Sequence, residues 1–95
     1  MLTGKQKRYL RSLAETQPAL FQIGKDGLSD NLINTVNNAF NTRELVKIRL
    51  LQSVVEDPKE LGFDLAMYTH SELVQIIGRT ILLYKKGRKP EIVLP

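Results

Sequence analysis

The sequence has no cysteine, a single histidine and no apolar run long enough to cross a membrane. The lack of cysteine excludes disulfides, thiolate zinc sites and cysteine nucleophiles. A membrane-spanning helix needs about 20 consecutive apolar residues, and the N-terminal segment also lacks the apolar stretch of a secretory signal peptide. We therefore expect a cytoplasmic protein with no membrane contact, metal or cofactor.

The length and the charge distribution indicate the number of domains and the kind of binding partner. Because 95 residues leave no room for a second hydrophobic core, we predict one domain over residues 1–95. The net charge is +4: residues 1–55 and 79–95 each carry +4, and residues 56–78 carry −4. If the two basic ends meet in the fold, they form one positive surface suited to nucleic acid or to an acidic protein partner. Many basic domains of this size bind neither.

Hydrophobic periodicity, cap residues and turn signals predict seven elements in the order α-β-α-β-α-β-β. Strand–helix–strand crossovers favour parallel pairing, and glycine first in the Gly78–Arg79 loop favours a type II′ hairpin turn. The fold class is therefore α/β, of the α+β two-layer type, with a mixed four-stranded sheet. The predicted helices span residues 3–15, 29–40 and 57–69, and the predicted strands span 19–23, 45–51 and two segments of 72–86.

Cap residues mark where the second and third helices begin. Ser29 can accept a hydrogen bond from an otherwise unpaired N–H group of the second helix. In "DPKE", Asp57 is the expected N-cap, Pro58 fits the first helical position, and Glu60 completes a capping box.

The third predicted helix is apolar on two sides. Leu61, Leu65 and Tyr68 form its core stripe, whereas Phe63 and Met67 fall on the other side. Either the C-terminal segment "EIVLP" covers these last two side chains, or they form a small exposed patch.

The first predicted helix separates an apolar face from a basic one. The residues before Glu15 include four basic side chains and no acidic one. A face that is only solvated usually mixes signs, since opposite charges at i,i+4 stabilise a helix and like charges destabilise it. The pattern favours a binding surface over a merely solvated face. A helical wheel places Tyr9, Leu10, Leu13 and Ala14 on the apolar side, Lys7, Arg8 and Arg11 opposite, and Lys5 at the edge of the basic side.

The loop "GKDG", residues 24–27, joins the first strand to the second helix. A G-x-x-G spacing is weak evidence alone, and Asp26–Gly27 is an ordinary turn signal. Its position is more informative, because the N–H groups and the dipole at a helix start favour an anion. Gly24 and Gly27 would let a polyanion backbone approach, and Lys25 adds a positive charge, while Asp26 and Asp30 oppose binding. KH domains clamp nucleic acid with a GXXG loop, but that loop joins two helices.

Four blocks occur in the order "LTGKQKRYLRSLA", "IGKDGLS", "ELVKIRLL" and "LVQIIGRTILLYKK". Together they resemble the CRM-domain family (chloroplast RNA splicing and ribosome maturation), specifically its short bacterial stand-alone YhbY-like members, over residues 2 to about 86. The resemblance implies a fold similar to the C-terminal domain of translation initiation factor three, and it implies RNA binding. For the stand-alone bacterial members it implies association with precursors of the large ribosomal subunit. The family's glycine-loop motif falls on Gly24, Lys25, Asp26 and Gly27.

We predict that this domain binds RNA through the RNA backbone, because no strong base-stacking platform is visible. The expected partner is ribosomal RNA or a precursor of the large subunit, and we expect a monomer without a small-molecule substrate. The predicted contacts are Gly24, Lys25, Asp26, Gly27, Lys5, Lys7, Arg8, Arg11, Arg79, Lys85 and Lys86, with Arg88 and Lys89 extending the surface.

Other functions fit the sequence less well. Catalysis is not expected, since His70 has no matching ligand set and no P-loop or dinucleotide fingerprint is present. The alternative function is a protein-interaction module that binds a ribosomal protein or assembly factor through the Phe63 and Met67 side or a sheet edge. Duplex DNA binding is a third possibility, but no paired helix-turn-helix signature supports it.

Overall fold

Three helices and four strands follow one another in the predicted order. The computed structural model describes residues 2–24 and 26–95. The α-β-α-β-α-β-β order and the mixed four-stranded sheet are confirmed. The helices are α1 (Gly4–Ala14), α2 (Asp30–Ala39) and α3 (Pro58–Thr69), and the strands are β1 (Phe21–Ile23), β2 (Leu45–Leu50), β3 (Glu72–Ile77) and β4 (Thr80–Tyr84).

The strands lie side by side in the order β1-β2-β4-β3. β1 pairs with β2 in parallel, and β4 runs antiparallel to both of its neighbours. β2 and β3 therefore point the same way, as the crossover predicts, but β4 lies between them. Burial explains this order, because Ile81–Tyr84 are all at most 5% exposed and need cover on both faces. An edge position suits β3, whose Ile77 is exposed.

Helices cover both faces of the sheet, with α1 on one face and α2 and α3 on the other. Core residues of α2 and α3 pack against Ile81 and Leu83, which face one side of β4. Leu10 and Ala14 of α1 pack in a separate cluster with residues such as Leu82 on the other side. The alternation of side chains along a strand sends successive β4 residues to opposite faces, and both sets are apolar.

Local signals are mostly confirmed at the helix starts and the hairpin. Ser29 Oγ accepts a hydrogen bond from the Leu32 N–H at 3.1 Å. Gly78 has φ +56°, which a type II′ turn requires at its first loop position. The capping box predicted for α3 is wrong, because the Asp57 side chain makes no cap hydrogen bond in the described part of the chain. Pro58 has no N–H group that needs a partner, and its ring fixes φ at a helical value. α3 can therefore begin without a cap hydrogen bond from the Asp57 carboxylate.

The buried face of α3 differs from its predicted stripe. Leu61 and Leu65 are buried as expected, but Tyr68 is 54% exposed, so its assignment to the core is wrong. Gly62 explains why the buried face differs from the predicted stripe. A Cβ atom at Gly62 would lie 3.1 Å from Ile76 Cδ1, so the Gly62 side of α3 lies close to the sheet. A side chain larger than that of glycine would have little room at position 62 between α3 and the sheet.

The C-terminal segment packs beside α1 and leaves the outer side of α3 open. Ile92 and Leu94 pack against the cluster that contains Leu10. Phe63 and Met67 are 60% and 65% exposed. Of the two arrangements open at the sequence level, the exposed patch is the one observed.

Glu44 holds this C-terminal segment in place. Its side chain is buried, and its oxygens accept hydrogen bonds from the backbone N–H groups of Gly87, Glu91 and Ile92 at 2.7–2.9 Å. Burial raises the pKa of the Glu44 carboxyl group, but the three N–H donors and the charge of Lys86 outweigh it, so the pKa is lowered below its ordinary value. The folded protein therefore favours the ionised carboxylate more than the unfolded chain does.

This shift predicts that Glu44 makes stability depend on pH. A group whose pKa is depressed by folding stabilises the protein above its unfolded pKa, and this contribution is lost as the pH falls through the folded pKa. Glu44→Gln should lower the free energy of unfolding at pH 7 by about 1–2 kcal/mol, because the substitution removes the charge-assisted hydrogen bonds to the carboxylate. Urea denaturation at pH 7 and pH 3 should show this difference shrinking at the lower pH. A difference that stays constant would contradict the assignment. The control is Glu60→Gln, which changes an exposed side chain of α3.

Candidate nucleic-acid interface

The glycine loop forms a tight turn held by a distant carboxylate. The Gly27 N–H donates to the Gly24 carbonyl at 3.0 Å, and Gly27 has φ +57°. The Leu28 N–H donates to Glu56 Oε2 at 3.2 Å. The positive φ favours glycine at this position, and a Cβ atom at Gly27 would also lie 2.7 Å from Glu56 Cδ, so the Glu56 carboxylate would have to move. Lys25 lies outside the described residues.

Gly24 differs from Gly27. An added Cβ at Gly24 would meet only Leu51 Cδ1, at an ordinary 3.9 Å, and the backbone there does not have a positive φ. The packing of the described residues therefore does not explain a glycine at this position. Space beside Gly24 is what close approach by another backbone would use.

The charges around this loop work against an anion. Asp26 and Asp30 are exposed, and the Glu56 carboxylate already accepts from one N–H that an incoming phosphate could use. The sequence shows the first two carboxylates but gives no signal for Glu56, which is 28 residues from its hydrogen-bond donor. A phosphate-binding role for the loop stays a prediction.

The basic face of α1 is exposed as the sequence predicts, except at Lys7, which is half-buried. Leu10 and Ala14 point into the core, while Lys5, Arg8 and Arg11 are exposed. Within residues 2–24 and 26–95, neither Arg8 nor Arg11 has a hydrogen-bond or ion-pair partner. Two free guanidinium groups three residues apart lie on one side of a helix, where they can bind neighbouring phosphates.

Two of the predicted cations in the basic segment 79–95 have hydrogen-bond partners inside the fold. Arg79 Nη2 donates to the carbonyls of Leu51 and Val54 at 2.8 and 3.0 Å. Lys85 Nζ donates to the Thr69 carbonyl at 3.1 Å, at the end of α3. These contacts hold a loop and a helix terminus, so the two side chains have structural roles whatever they bind. Lys86, Arg88 and Lys89 are exposed.

β2 adds two cations that are not among the contacts predicted from the sequence. Lys47 and Arg49 alternate with buried residues and face the same side of the sheet as α1. Lys47 Nζ donates to the carbonyls of Ala14 and Gln17 at 3.2 and 2.9 Å, where α1 ends. The alternation is visible in "LVKIRLL", but only the position of α1 places Lys47 in the same groove as Arg11.

The described part of the chain carries neither a cluster of metal ligands nor a membrane-spanning helix. Residues 2–24 and 26–95 include no group of three histidine or acidic side chains placed to hold a metal ion. The same residues form no helix with the length and hydrophobicity needed to cross a bilayer. His70 is the left-handed C-cap of α3, with φ 53°.

Comparison with known proteins gives consistent matches over the whole chain. The CRS1 / YhbY (CRM) domain model matches residues 2–85. The chain is 46% identical over 96 residues to the "Probable RNA-binding protein YqeI" of Bacillus subtilis, with all of both chains covered. It is 30% identical to a Pseudomonas aeruginosa protein also named a probable RNA-binding protein, covering 94% of this chain and 86% of that protein. The solution structure of a hypothetical protein from Staphylococcus aureus superposes with a TM-score of 0.84 at 49% identity, with full coverage of both chains.

Proposed function

Because this chain belongs to the CRS1/YhbY (CRM) domain family, we propose that it is an RNA-binding protein without catalytic activity. The observation that carries this proposal is the basic face of α1, where Arg8 and Arg11 are exposed and unpaired within the described residues. The two relatives are named for RNA binding, and neither name describes an enzyme.

The RNA is ribosomal, and binding takes place in the cytoplasm during maturation of the large subunit. The protein acts as a monomer, and the phosphates lie along α1 and against the GKDG loop. The room beside Gly24 supports the loop contact, while Glu56 confines the phosphate to the Gly24 side of the loop. Lys86, Arg88 and Lys89 extend the positive surface.

A protein-interaction module is the second candidate, and one observation favours it. Phe63 and Met67, one helical turn apart on α3, are more than half exposed. Exposed apolar pairs of this kind occur at protein interfaces. This surface is separated from the basic face of α1 by the sheet, because α1 and α3 cover opposite faces.

Salt dependence distinguishes the two candidates. For binding to a ribosomal RNA fragment, three to four phosphate contacts predict a slope of log affinity against log salt of about −2 to −3, at about −0.7 per phosphate. An apolar interface on α3 would respond little to salt. Fluorescence anisotropy between 50 and 300 mM salt measures the slope, and Met67→Ser is the control variant. A slope near zero, or binding lost with Met67→Ser, would favour the protein-interaction module instead.

A further inference from the structure

Part of the sheet on the α1 side has no helix over it. Strand register aligns Lys47 with Leu82 and Gln75 in one row across β2, β4 and β3. The next row aligns Arg49 with Thr80 and Ile77. α1 ends at Ala14, so the end of the β3–β4 hairpin beyond it is open, and Ile77 is 64% exposed.

A groove of about 440 Å³ lies between the C-terminal half of α1 and this open part of the sheet. Ile77 and the buried Leu82 form its apolar floor. Arg8 and Arg11 line the helix side, and the Gln75 and Thr80 side chains line the sheet side. The volume falls within the range of pockets that hold small organic groups, roughly 300–1,000 Å³.

The Gln75 and Thr80 side chains of this groove are free to bind a ligand. Within the described residues, the side chains of Gln75 and Thr80 take part in no hydrogen bond. The Gln75 amide offers two donors and an acceptor, and the Thr80 hydroxyl offers one donor and accepts as well. A flat ligand with an apolar face, a polar edge and an attached negative charge would match all of these features.

We propose that the groove binds one unstacked base of single-stranded RNA. The base lies on Ile77 and Leu82, its edge meets Gln75 and Thr80, and its phosphate lies at the arginines. This rests on the proposed RNA binding and adds base contacts to what would otherwise be backbone recognition. The Glu15 carboxylate also lines the groove, so the phosphate takes the end at Arg8, away from Glu15.

The groove is tested first with nucleoside monophosphates. NMR of the full chain should show millimolar nucleoside monophosphates shifting the Ile77 and Leu82 methyl groups and the Gln75 side-chain amide. Inorganic phosphate at the same concentration should leave the methyl groups unshifted. If the monophosphates shift only signals that phosphate also shifts, the groove binds no base and the inference is overturned.

A variant tests the same groove with RNA. Ile77→Ser should weaken binding of a single-stranded RNA oligonucleotide by about 5- to 10-fold without changing the salt slope, since burial of apolar surface between the base and Ile77 contributes to affinity. Met67→Ser, an equally exposed residue on the opposite face of the sheet, should change nothing. Salt-dependent RNA binding that Ile77→Ser leaves intact would overturn the groove and keep the proposed function. Absence of any RNA binding by the unmodified protein would instead overturn the proposed function.

Discussion

Replacing both Arg8 and Arg11 by glutamate should lower the affinity for RNA about 100-fold at moderate salt. Both side chains are exposed and unpaired within the described residues, so the fold loses no contact with them. Two lost phosphate contacts should also flatten the salt slope by about 1.4, at about 0.7 per phosphate on a single strand. Anisotropy titrations of the double variant and of the unmodified protein across a salt series measure both quantities.

The control for charge alone is a reversal on another surface. Arg8→Glu and Lys59→Glu change the net charge equally, but Lys59 lies on α3, on the opposite face of the sheet. Only Arg8→Glu should alter the slope. Equal losses for the two variants would mean that net charge, rather than the α1 face, sets the affinity.

Gly27→Ala should destabilise the protein by about 2–3 kcal/mol. A left-handed backbone costs an alanine about 1–2 kcal/mol, and Gly27 has φ +57°. The new Cβ atom would also displace the Glu56 carboxylate and break its hydrogen bond with the Leu28 N–H, which is expected to cost about a further 1 kcal/mol. Gly24→Ala should cost much less, since its Cβ would make one ordinary contact with Leu51.

A double-mutant cycle separates the two causes. In a Glu56→Ala background the overlap disappears, so Gly27→Ala should cost only the backbone term, about 1–2 kcal/mol. Urea denaturation of the four proteins gives the coupling energy. If Gly27→Ala costs the same in both backgrounds, Glu56 does not pack against this loop.

Local sequence signals predicted the elements well, because their causes are local. Ser29 caps α2 through a residue three positions away, and Gly78 turns the hairpin through its own backbone. The buried residues of α1, Leu10 and Ala14, follow from helical periodicity alone. The order of elements therefore emerges from patterns that span a few residues each.

The sequence leaves open, or misassigns, features that depend on how distant segments meet. No local pattern places β4 between β2 and β3, or α1 on the face opposite α2 and α3. The helical spacing of Tyr68 predicts a core position. In the structure the Gly62 side of α3 lies against the sheet, and the Tyr68 side chain is exposed.

The candidate site was predicted in part for the same reason. The basic face of α1 depends only on helical spacing, so the sequence identifies it. Glu44 and Glu56 accept hydrogen bonds from backbone groups 28 to 48 residues away, and nothing beside them in the sequence indicates those partners. The free groove on the sheet requires the register of three strands as well as the end of α1.

The central claim is that RNA phosphates bind the basic face of α1 and the glycine loop. An amide-by-amide NMR titration with a structured ribosomal RNA fragment, at low and at high salt, tests it most directly. The account predicts shifts at residues 24–27 and along residues 5–11 that are large at low salt and fade at high salt. If neither segment shows chemical-shift changes, and shifts at Phe63 and Met67 of α3 persist at high salt, the account is contradicted.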